Sequence, residues 1–298
     1  MRTPVFTGSC VAIATPFDAN GTINYDAFGR LIEAQIAGGV DAICVCGTTG
    51  EAATMSYAER MRTIECCVEH VNSRVPVIAG TGSNSTETAR AQSRDAARAG
   101  ADGVLVVTPY YNKASQEGLV RHYNAVADAS PVPVIVYDVP SRTGVAIAPE
   151  TYARLAQHPN INGAKEAAGN PGALQRTRNL CPEDFFIWSG NDDETAAMCM
   201  LGGKGVISVV ANVFPAAMHR LTALCLSGDF AAAGRLQLEL KELCDAMFCE
   251  VNPIPVKTAL NLMGYHAGQL RLPLCEPSEG NLDRIRRTLE QYGLLPQA

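Results

Sequence analysis

Lys165 is the residue in this chain whose type and surroundings most directly suggest chemistry. It lies in the segment INGAKEAAGN at the end of a short apolar run, and small residues follow it. The chain has only five lysines, and one that ends a strand among small residues points into a confined space. Desolvation favours a neutral amine, which can attack a ketone and form an imine. Pairing of Lys165 with Glu166 or another carboxylate is the structural alternative.

Polar side chains that follow other apolar runs could assist such chemistry. The GTTGE segment offers the Thr48 and Thr49 hydroxyls and backbone N–H groups to a small carboxylate, although a tight turn has the same composition. Tyr111 and Tyr137 could exchange protons beside an iminium cation, or could simply fill a cavity mouth. Arg142, in a loop bounded by proline and glycine, could bind the carboxylate of a second substrate or lie on the surface.

The remaining titratable residues do not form the pattern of a metal site or a catalytic triad. Asp192, Asp193 and Glu194 are interpreted as acids that complement the dipole at a helix start, because no histidine or cysteine accompanies them. The five histidines fall in helical segments or at their ends, and the eleven cysteines are scattered among apolar residues without a CxxC pair. The sequence therefore predicts no metal site, and it predicts cysteines that serve as small core residues.

Eight short apolar runs alternate with helical stretches, which is the pattern of repeated strand–helix units. The runs are apolar almost throughout, as in strands covered on both faces, and they predict an α/β fold, a (β/α)₈ TIM barrel. In this barrel the strand ends carry the site, and Gly205 is expected to let a ligand approach the backbone. An open doubly wound sheet is the alternative, but no GxGxxG loop supports it. The runs are SCVAIAT (9–15), DAICVCG (41–47), VPVIAG (75–80), DGVLVVT (102–108), VPVIVYDV (132–139), INGAKE (161–166), FFIWSG (185–190) and GVISVV (205–210).

Strand signals stop after residue 228, and helical patterns continue to the end of the chain. Residues 1–228 are therefore predicted to form the catalytic barrel, and residues 229–298 a C-terminal helical domain. The helices of this extension are predicted over 229–250, 253–267 and 278–292.

The composition narrows the classes of partner. With 47% hydrophobic and 18% charged residues, the 298-residue chain is typical of a globular protein with a large core. A net charge of −6 and a pI near 5.4 argue against nucleic acid or an anionic membrane as a partner. No apolar run approaches the roughly 20 residues that span a bilayer. The first residues also lack the features of a signal peptide, so a cytoplasmic location is expected.

Several motifs together resemble one enzyme family. Over nearly the whole chain the sequence is similar to the dihydrodipicolinate synthases (4-hydroxy-tetrahydrodipicolinate synthases), within the pyruvate-dependent class I aldolase/lyase superfamily. GTTGE is shared across the superfamily and says little about the substrate, whereas the arginine of SRTG is more specific. The motifs that carry the resemblance are GTTGE (47–51), VIAGTGSN (77–84), TPYYNK (108–113), YDVPSRTG (137–144), GAKEA (163–167), SGND (189–192), GVISV (205–209) and NPIPVK (252–257).

The resemblance implies a role for each catalytic candidate. Lys165 would form the imine with pyruvate, and Tyr137 would act as the general acid and base. Thr48, Tyr111 and Tyr137 would form a proton relay, with Tyr111 contributed across a tight-dimer interface. The resulting enamine would attack L-aspartate 4-semialdehyde in the first committed step of lysine and diaminopimelate biosynthesis. The family needs no metal or organic cofactor and commonly forms homotetramers built as dimers of dimers.

The resemblance also implies which residues bind the two substrates. Thr49 and the Ile207 backbone would hold the pyruvate carboxylate, and Arg142 would orient the semialdehyde at the mouth of the barrel. Gly190 and Asn252 complete the predicted substrate-binding set.

Many relatives bind lysine as a feedback inhibitor at the tight-dimer interface. This chain has Tyr57 and Arg60 where the lysine-sensitive pattern has histidines, and Thr88 replaces a glutamate. Losing that carboxylate should weaken the capture of an ammonium group, so lysine inhibition is predicted to be weak or absent. Asn84 and Tyr110 do match this candidate allosteric site, and Ala53 is the third residue predicted to belong to it.

Two other functions stay open at this stage. An aldolase acting on N-acetylneuraminate or a 2-keto-3-deoxy sugar acid would use the same Lys165, although Arg142 and the NPIPVK motif favour the synthase. A catalytically silent barrel that senses a keto acid would require an unreactive Lys165 beside an otherwise complete relay.

Overall fold

The strands close into a barrel in which every neighbouring pair is parallel. The computed structural model describes residues 1–296. The strand order follows the sequence, and β1 pairs with both β2 and β8, which closes the sheet. The predicted (β/α)₈ barrel is confirmed. The strands are β1 (Gly8–Ala12), β2 (Ala42–Val45), β3 (Val77–Gly80), β4 (Gly103–Val107), β5 (Val134–Asp138), β6 (Ile161–Glu166), β7 (Phe186–Ser189) and β8 (Gly205–Ser208).

Helices follow the strands and pack around the outside of the barrel. Many begin with a side chain that satisfies a free backbone N–H: Ser56 accepts from the Glu59 N–H at 3.2 Å, and the Glu59 carboxylate accepts in return from the Ser56 N–H at 2.8 Å. The helices are α1 (Tyr25–Ala37), α2 (Tyr57–Val71), α3 (Thr86–Arg98), α4 (Gln116–Ala129), α5 (Pro140–Thr143), α6 (Pro149–Leu155), α7 (Pro171–Leu180), α8 (Thr195–Met200), α9 (Pro215–Leu226), α10 (Phe230–Glu239), α11 (Lys241–Met247), α12 (Ile254–Leu262) and α13 (Glu279–Gln291). Single 3₁₀ turns lie at Ala52–Thr54, Asp192–Glu194 and Val210–Asn212.

The C-terminal extension differs in detail from its predicted helices. The single helix predicted over 229–250 is wrong, because α10 and α11 are separate helices that meet at the buried Leu240. The helix predicted over 253–267 ends at Leu262, since Gly264 takes a left-handed φ of 84° that terminates it. The last predicted helix agrees with α13 to within one residue at each end. The domain boundary at 228 stays a prediction, and residues 297–298 of the predicted extension lie outside the described range.

The core has an inner and an outer layer. Inside the barrel, side chains such as Cys10, Ile78, Ile135 and Trp188 fill the space between the strands. A larger apolar layer lies between the strands and the surrounding helices. Both faces of each strand are therefore covered, which explains why the strand sequences are apolar without alternation.

Gly205 does not serve the purpose predicted from the sequence. It lies at the first position of β8, whereas a ligand site at the strand ends lies at the opposite end of the barrel. A Cβ atom at Gly205 would stand 1.8 Å from the Gly8 carbonyl oxygen. The glycine therefore allows the close approach of β8 to β1 and not that of a ligand.

Most cysteines occupy the buried positions expected of them. Nine are buried, including Cys44 and Cys46 near the end of β2, while Cys249 is partly buried and Cys275 is exposed. None forms a disulfide. Within residues 1–296, no helix combines the length and the apolar character that a bilayer crossing requires.

Candidate active site

A cavity of about 420 Å³ opens at the C-terminal ends of the strands. Strand and loop residues from most of the barrel line it, as expected for the site-bearing end of this fold. Most of the residues predicted from sequence to act on or bind substrate meet here. Those residues are Thr48, Thr49, Tyr137, Arg142, Lys165, Gly190 and Asn252.

Lys165 and Tyr137 lie opposite one another in the ladder between β6 and β5. The Lys165 side chain is 6% exposed, and its Nζ lies 4.3 Å from the centre of the Tyr137 ring. Among the described residues, Lys165 has no carboxylate within ion-pair distance. Glu166, which the sequence offered as a possible ion-pair partner of Lys165, instead accepts from the Ala168 N–H at 2.7 Å. The amine therefore faces the cavity without a neutralising acid, as a nucleophile requires.

Gly190, which follows β7, makes room for the lysine. A Cβ atom there would lie 3.1 Å from Lys165 Cε and 2.6 Å from Ala167 Cβ. Real Cβ atoms are essentially never found at the shorter distance, so any larger residue would displace the end of β6. The absence of a side chain at Gly190 therefore leaves the space that the Lys165 side chain needs.

The GTTGE loop presents its two threonines in different ways. Thr48 is exposed towards the cavity, whereas Thr49 is buried and its Oγ1 accepts from Asn252 Nδ2 at 3.0 Å. The buried Oδ1 of Asn252 has no protein partner. Because a buried acceptor without a donor is costly, Asn252 is well placed to accept from a bound substrate.

Arg142 lies on α5, beyond the end of β5. Its Nη2 donates to the Asn252 carbonyl oxygen at 3.1 Å, which holds the guanidinium group at the rim of the cavity. A planar group with several donors in this place can bind a carboxylate through two hydrogen bonds.

Two predicted site residues do not reach the cavity of this single chain. Ile207 is fully buried in the barrel interior and is not among the residues that line the cavity. Tyr111 is 91% exposed and also lies outside the cavity. Its φ of 72° is uncommon for a tyrosine and turns the chain sharply after β4.

A pair of acids, the buried Asp138 and the partly buried Glu166, lies behind Tyr137 and Lys165, and sequence reasoning missed it. Asp138 and Glu166 follow Tyr137 and Lys165 on the same two strands, so they point to the outer face of the barrel. The Tyr152 hydroxyl oxygen lies 3.3 Å from Asp138 Oδ2 and 3.1 Å from Glu166 Oε2. The sequence does contain a signal for this pair. Side chains alternate between the two faces of a strand, so the residue after each inward-pointing side chain points outward.

The two acids hold protons more tightly than ordinary carboxyl groups. Burial raises the pKa of Asp138 to about 6. Burial, together with the charge of Asp138, raises the pKa of Glu166 to about 7. A hydroxyl group has one proton and can donate to only one carboxylate, so a second hydrogen bond requires that one acid be protonated.

Asp192 corrects the interpretation of the acids after β7. It is fully buried and accepts from the Ser208 hydroxyl and from the Val209 and Val210 N–H groups at 2.9 and 3.2 Å. It therefore caps the turn that follows β8, and its own 3₁₀ turn has no side-chain cap. Among residues 1–296, no cluster of three His, Cys, Asp or Glu side chains could hold a metal ion.

The candidate allosteric residues lie partly in the same cavity. Ala53, Arg60 and Tyr110 line it. Asn84 uses its carbonyl oxygen to accept from Asn112 Nδ2 at 2.9 Å, and Thr88 is exposed on α3. The effect of these residues on lysine binding stays a prediction.

Known proteins resemble the chain over its whole length. A model of the dihydrodipicolinate synthetase family matches residues 5–292. The chain is 52% identical over 291 residues to the 4-hydroxy-tetrahydrodipicolinate synthase of Geobacter sulfurreducens, covering 98% of this chain and 100% of that one. It is 50% identical over 296 residues to the protein of the same name from Thermoanaerobacter sp. strain X514, with 99% of each covered. A solved dihydrodipicolinate synthase from Aquifex aeolicus is similar with a TM-score of 0.96 at 42% identity, covering 98% of this chain and 100% of that one.

Proposed function

The chain belongs to the dihydrodipicolinate synthetase family, and we propose that it condenses pyruvate with L-aspartate 4-semialdehyde through an imine on Lys165. This is the reaction of a 4-hydroxy-tetrahydrodipicolinate synthase, a lyase of the class I aldolase type in lysine and diaminopimelate biosynthesis. The observation that carries the proposal is the Lys165 amine, which faces the cavity beside Tyr137 with no acid to neutralise it.

The first half of the reaction joins pyruvate to the lysine. The neutral amine attacks the ketone carbon, and loss of water from the addition product leaves an imine. Tyr137 supplies and removes the protons that these steps need, since its ring lies against Nζ. The Thr49 hydroxyl and the N–H groups of the GTTGE loop bind the pyruvate carboxylate.

The second half forms the new carbon–carbon bond. The protonated imine accepts electrons, so loss of a methyl proton gives an enamine, which attacks the aldehyde carbon of the second substrate. The aldehyde oxygen takes up a proton, the amine of the semialdehyde displaces Lys165, and the ring closes. The chemistry needs no metal or organic cofactor.

Arg142 and Asn252 select the second substrate. The guanidinium group binds the semialdehyde carboxylate at the rim, and its hydrogen bond to the Asn252 carbonyl oxygen fixes its direction. The sugar aldehyde that a sugar-acid aldolase releases with pyruvate has no carboxylate for Arg142 to bind, so this rim favours the semialdehyde.

Tyr111 completes the proton relay from a neighbouring subunit. Its exposed side chain cannot act in its own cavity, and its strained backbone is the kind that persists where surroundings hold it. We place it in the cavity of the partner in a tight dimer, with Thr48 between it and Tyr137. Two such dimers form the homotetramer, which acts in the cytoplasm.

Turnover with both substrates tests the function. Pyruvate and aspartate semialdehyde should give a product that the downstream reductase converts with a change in nicotinamide absorbance. Borohydride added with pyruvate should leave an adduct that peptide mapping places on Lys165. An adduct on another lysine would contradict the mechanism. An adduct on Lys165 without turnover would favour an aldolase that acts on sugar acids.

A further inference from the structure

The final residues of two sequence motifs form a buried ion pair that the mechanism above does not use. Lys257, which ends NPIPVK, places Nζ 2.8 Å from Oε1 of Glu51, which ends GTTGE, and each side chain is 1% exposed. The other carboxylate oxygen accepts from the Arg271 N–H at 3.0 Å. Lys257 also donates to the Gln269 carbonyl oxygen at 2.6 Å and lies 4.2 Å from the centre of the Phe17 ring.

This pair joins the C-terminal extension to the loop that carries both active-site threonines. Glu51 adopts a left-handed φ of 54°, and its N–H donates to the Thr48 carbonyl oxygen at 3.0 Å. Glu51 is three residues from Thr48, so this hydrogen bond connects the residue that bears the carboxylate to the turn that bears both hydroxyls. The segment that holds Lys257 also supplies Asn252, which donates to Thr49 Oγ1 at 3.0 Å. One segment of the extension thus holds the loop at two points.

Stability alone does not account for a pair of this kind. Removing two charges from water is costly, and apolar residues of similar volume often stabilise a fold as well or better. Burial lowers the pKa of Lys257, and the negative charge of Glu51 opposes this change. An ion pair with several hydrogen bonds does, however, fix the orientation of the two side chains and of the segments that carry them. Such orientation matters most where hydroxyl groups must be placed against a ligand.

We propose that the Glu51–Lys257 ion pair positions the GTTGE loop, so that Thr48 and Thr49 meet the keto acid bound at Lys165. Both residues are positioning residues, since neither is placed against the substrate. The inference rests on the proposed function in one respect, namely that a keto acid binds covalently to Lys165.

Three variants separate positioning from stability. Glu51→Gln keeps one acceptor, the amide oxygen, for Lys257. Lys257→Met leaves a buried carboxylate without its cation, and the double variant Glu51→Gln/Lys257→Met removes both charges. The readout is the pyruvate concentration that gives half-maximal borohydride trapping on Lys165, together with KM for each substrate. Lys257→Met and the double variant should raise the half-maximal concentration about tenfold, with KM for the aldehyde within about twofold. Glu51→Gln should stay within about threefold of the parent.

The double variant keeps the test meaningful if Lys257→Met folds poorly. With no unpaired charge left inside, its Tm should exceed that of Lys257→Met while its pyruvate binding stays weak. Leu289→Ala is the matched control, because truncating this buried α13 side chain should lower the stability of the extension while leaving Glu51 and Lys257 unchanged. Its half-maximal pyruvate concentration should equal that of the parent at a temperature where both are folded.

The possible outcomes separate a failure of this inference from a failure of the proposed function. Unchanged pyruvate trapping in the double variant, or an equal loss in Leu289→Ala, would show that the pair is only structural. A parent chain that traps no pyruvate on Lys165 would overturn the proposed function, and this inference with it.

Discussion

The inner and outer faces of β5 and β6 carry opposite chemistry only one residue apart. On the inner face, Lys165 and Tyr137 meet in an open cavity with no acid beside the amine. On the outer face, the buried Asp138 and the partly buried Glu166 both lie within hydrogen-bond distance of the Tyr152 hydroxyl. Adjacent residues of a strand point to opposite faces, so the sheet itself separates the cation from the acids. A register shift of one residue would bring them together and neutralise the nucleophile.

Removing the inner cation should have the largest effect. Lys165→Met keeps the length of the side chain but has no amine, so the imine cannot form and kcat should fall by about 10⁴-fold. Coupled turnover measures the loss, and borohydride trapping should give no adduct. Lys241→Met, at an exposed lysine on α11, is the matched control and should retain full activity.

Crowding the inner face without changing its charge should have the second largest effect. Gly190→Ala would bring a methyl group to 3.1 Å from Lys165 Cε and 2.6 Å from Ala167 Cβ, so the amine must move. A displacement approaching 1 Å should lower kcat/KM about 10²-fold. Gly234→Ala is the control, because nothing lies within 4 Å of a Cβ atom at that position of α10. Equal activity of the two variants would contradict the role given to Gly190.

Neutralising the outer face should change stability in a pH-dependent way. The folded-state pKa values of Asp138 and Glu166, about 6 and about 7, lie above the unfolded values of about 3.9 and 4.3. The folded chain therefore holds protons that the unfolded chain releases. Their contribution is fully present below about pH 4 and is lost as the pH rises through about 6 to 7.

The side chain introduced by Glu166→Gln does not titrate, so this variant should not lose this contribution to stability as the pH rises. Its free energy of unfolding should match the parent near pH 4 and exceed it by about 1–3 kcal/mol at pH 8. Denaturant unfolding at the two pH values provides the measurement. Glu87→Gln, an exposed carboxylate on α3, should show no such gain. A parent that gains stability relative to Glu166→Gln as the pH rises would refute the assignment.

The smallest effect is expected from Thr88, which is exposed on α3 and belongs to neither face of β5 and β6. Thr88 supplies no carboxylate to an added lysine, so 1 mM L-lysine should lower turnover by less than about twofold. Inhibition assays at saturating pyruvate would measure this, with Thr88→Glu as the variant that should increase the sensitivity. Half-inhibition of the parent below about 1 mM would contradict the prediction.

The sequence predicts the strands and the inner face well, because both leave local signals. Apolar runs locate all eight strands, and small neighbours single out Lys165. Contacts between distant segments leave no such signal. Asn252 and Thr49 are 203 residues apart in the chain, and the bond between them follows only from the closed fold. The wrong role predicted for Gly205 has the same cause, since its close neighbour Gly8 lies on β1, at the other end of the strand order.

The buried thiols along the cavity wall do not compete with Lys165 as nucleophiles. Cys44 and Cys46 both line the cavity, and burial raises their pKa values to about 11 and about 12. They therefore stay protonated at neutral pH, whereas only a thiolate adds readily to a carbonyl carbon. An aldehyde that enters this space meets one competent nucleophile, and electrophilic labels should react first with the exposed Cys275.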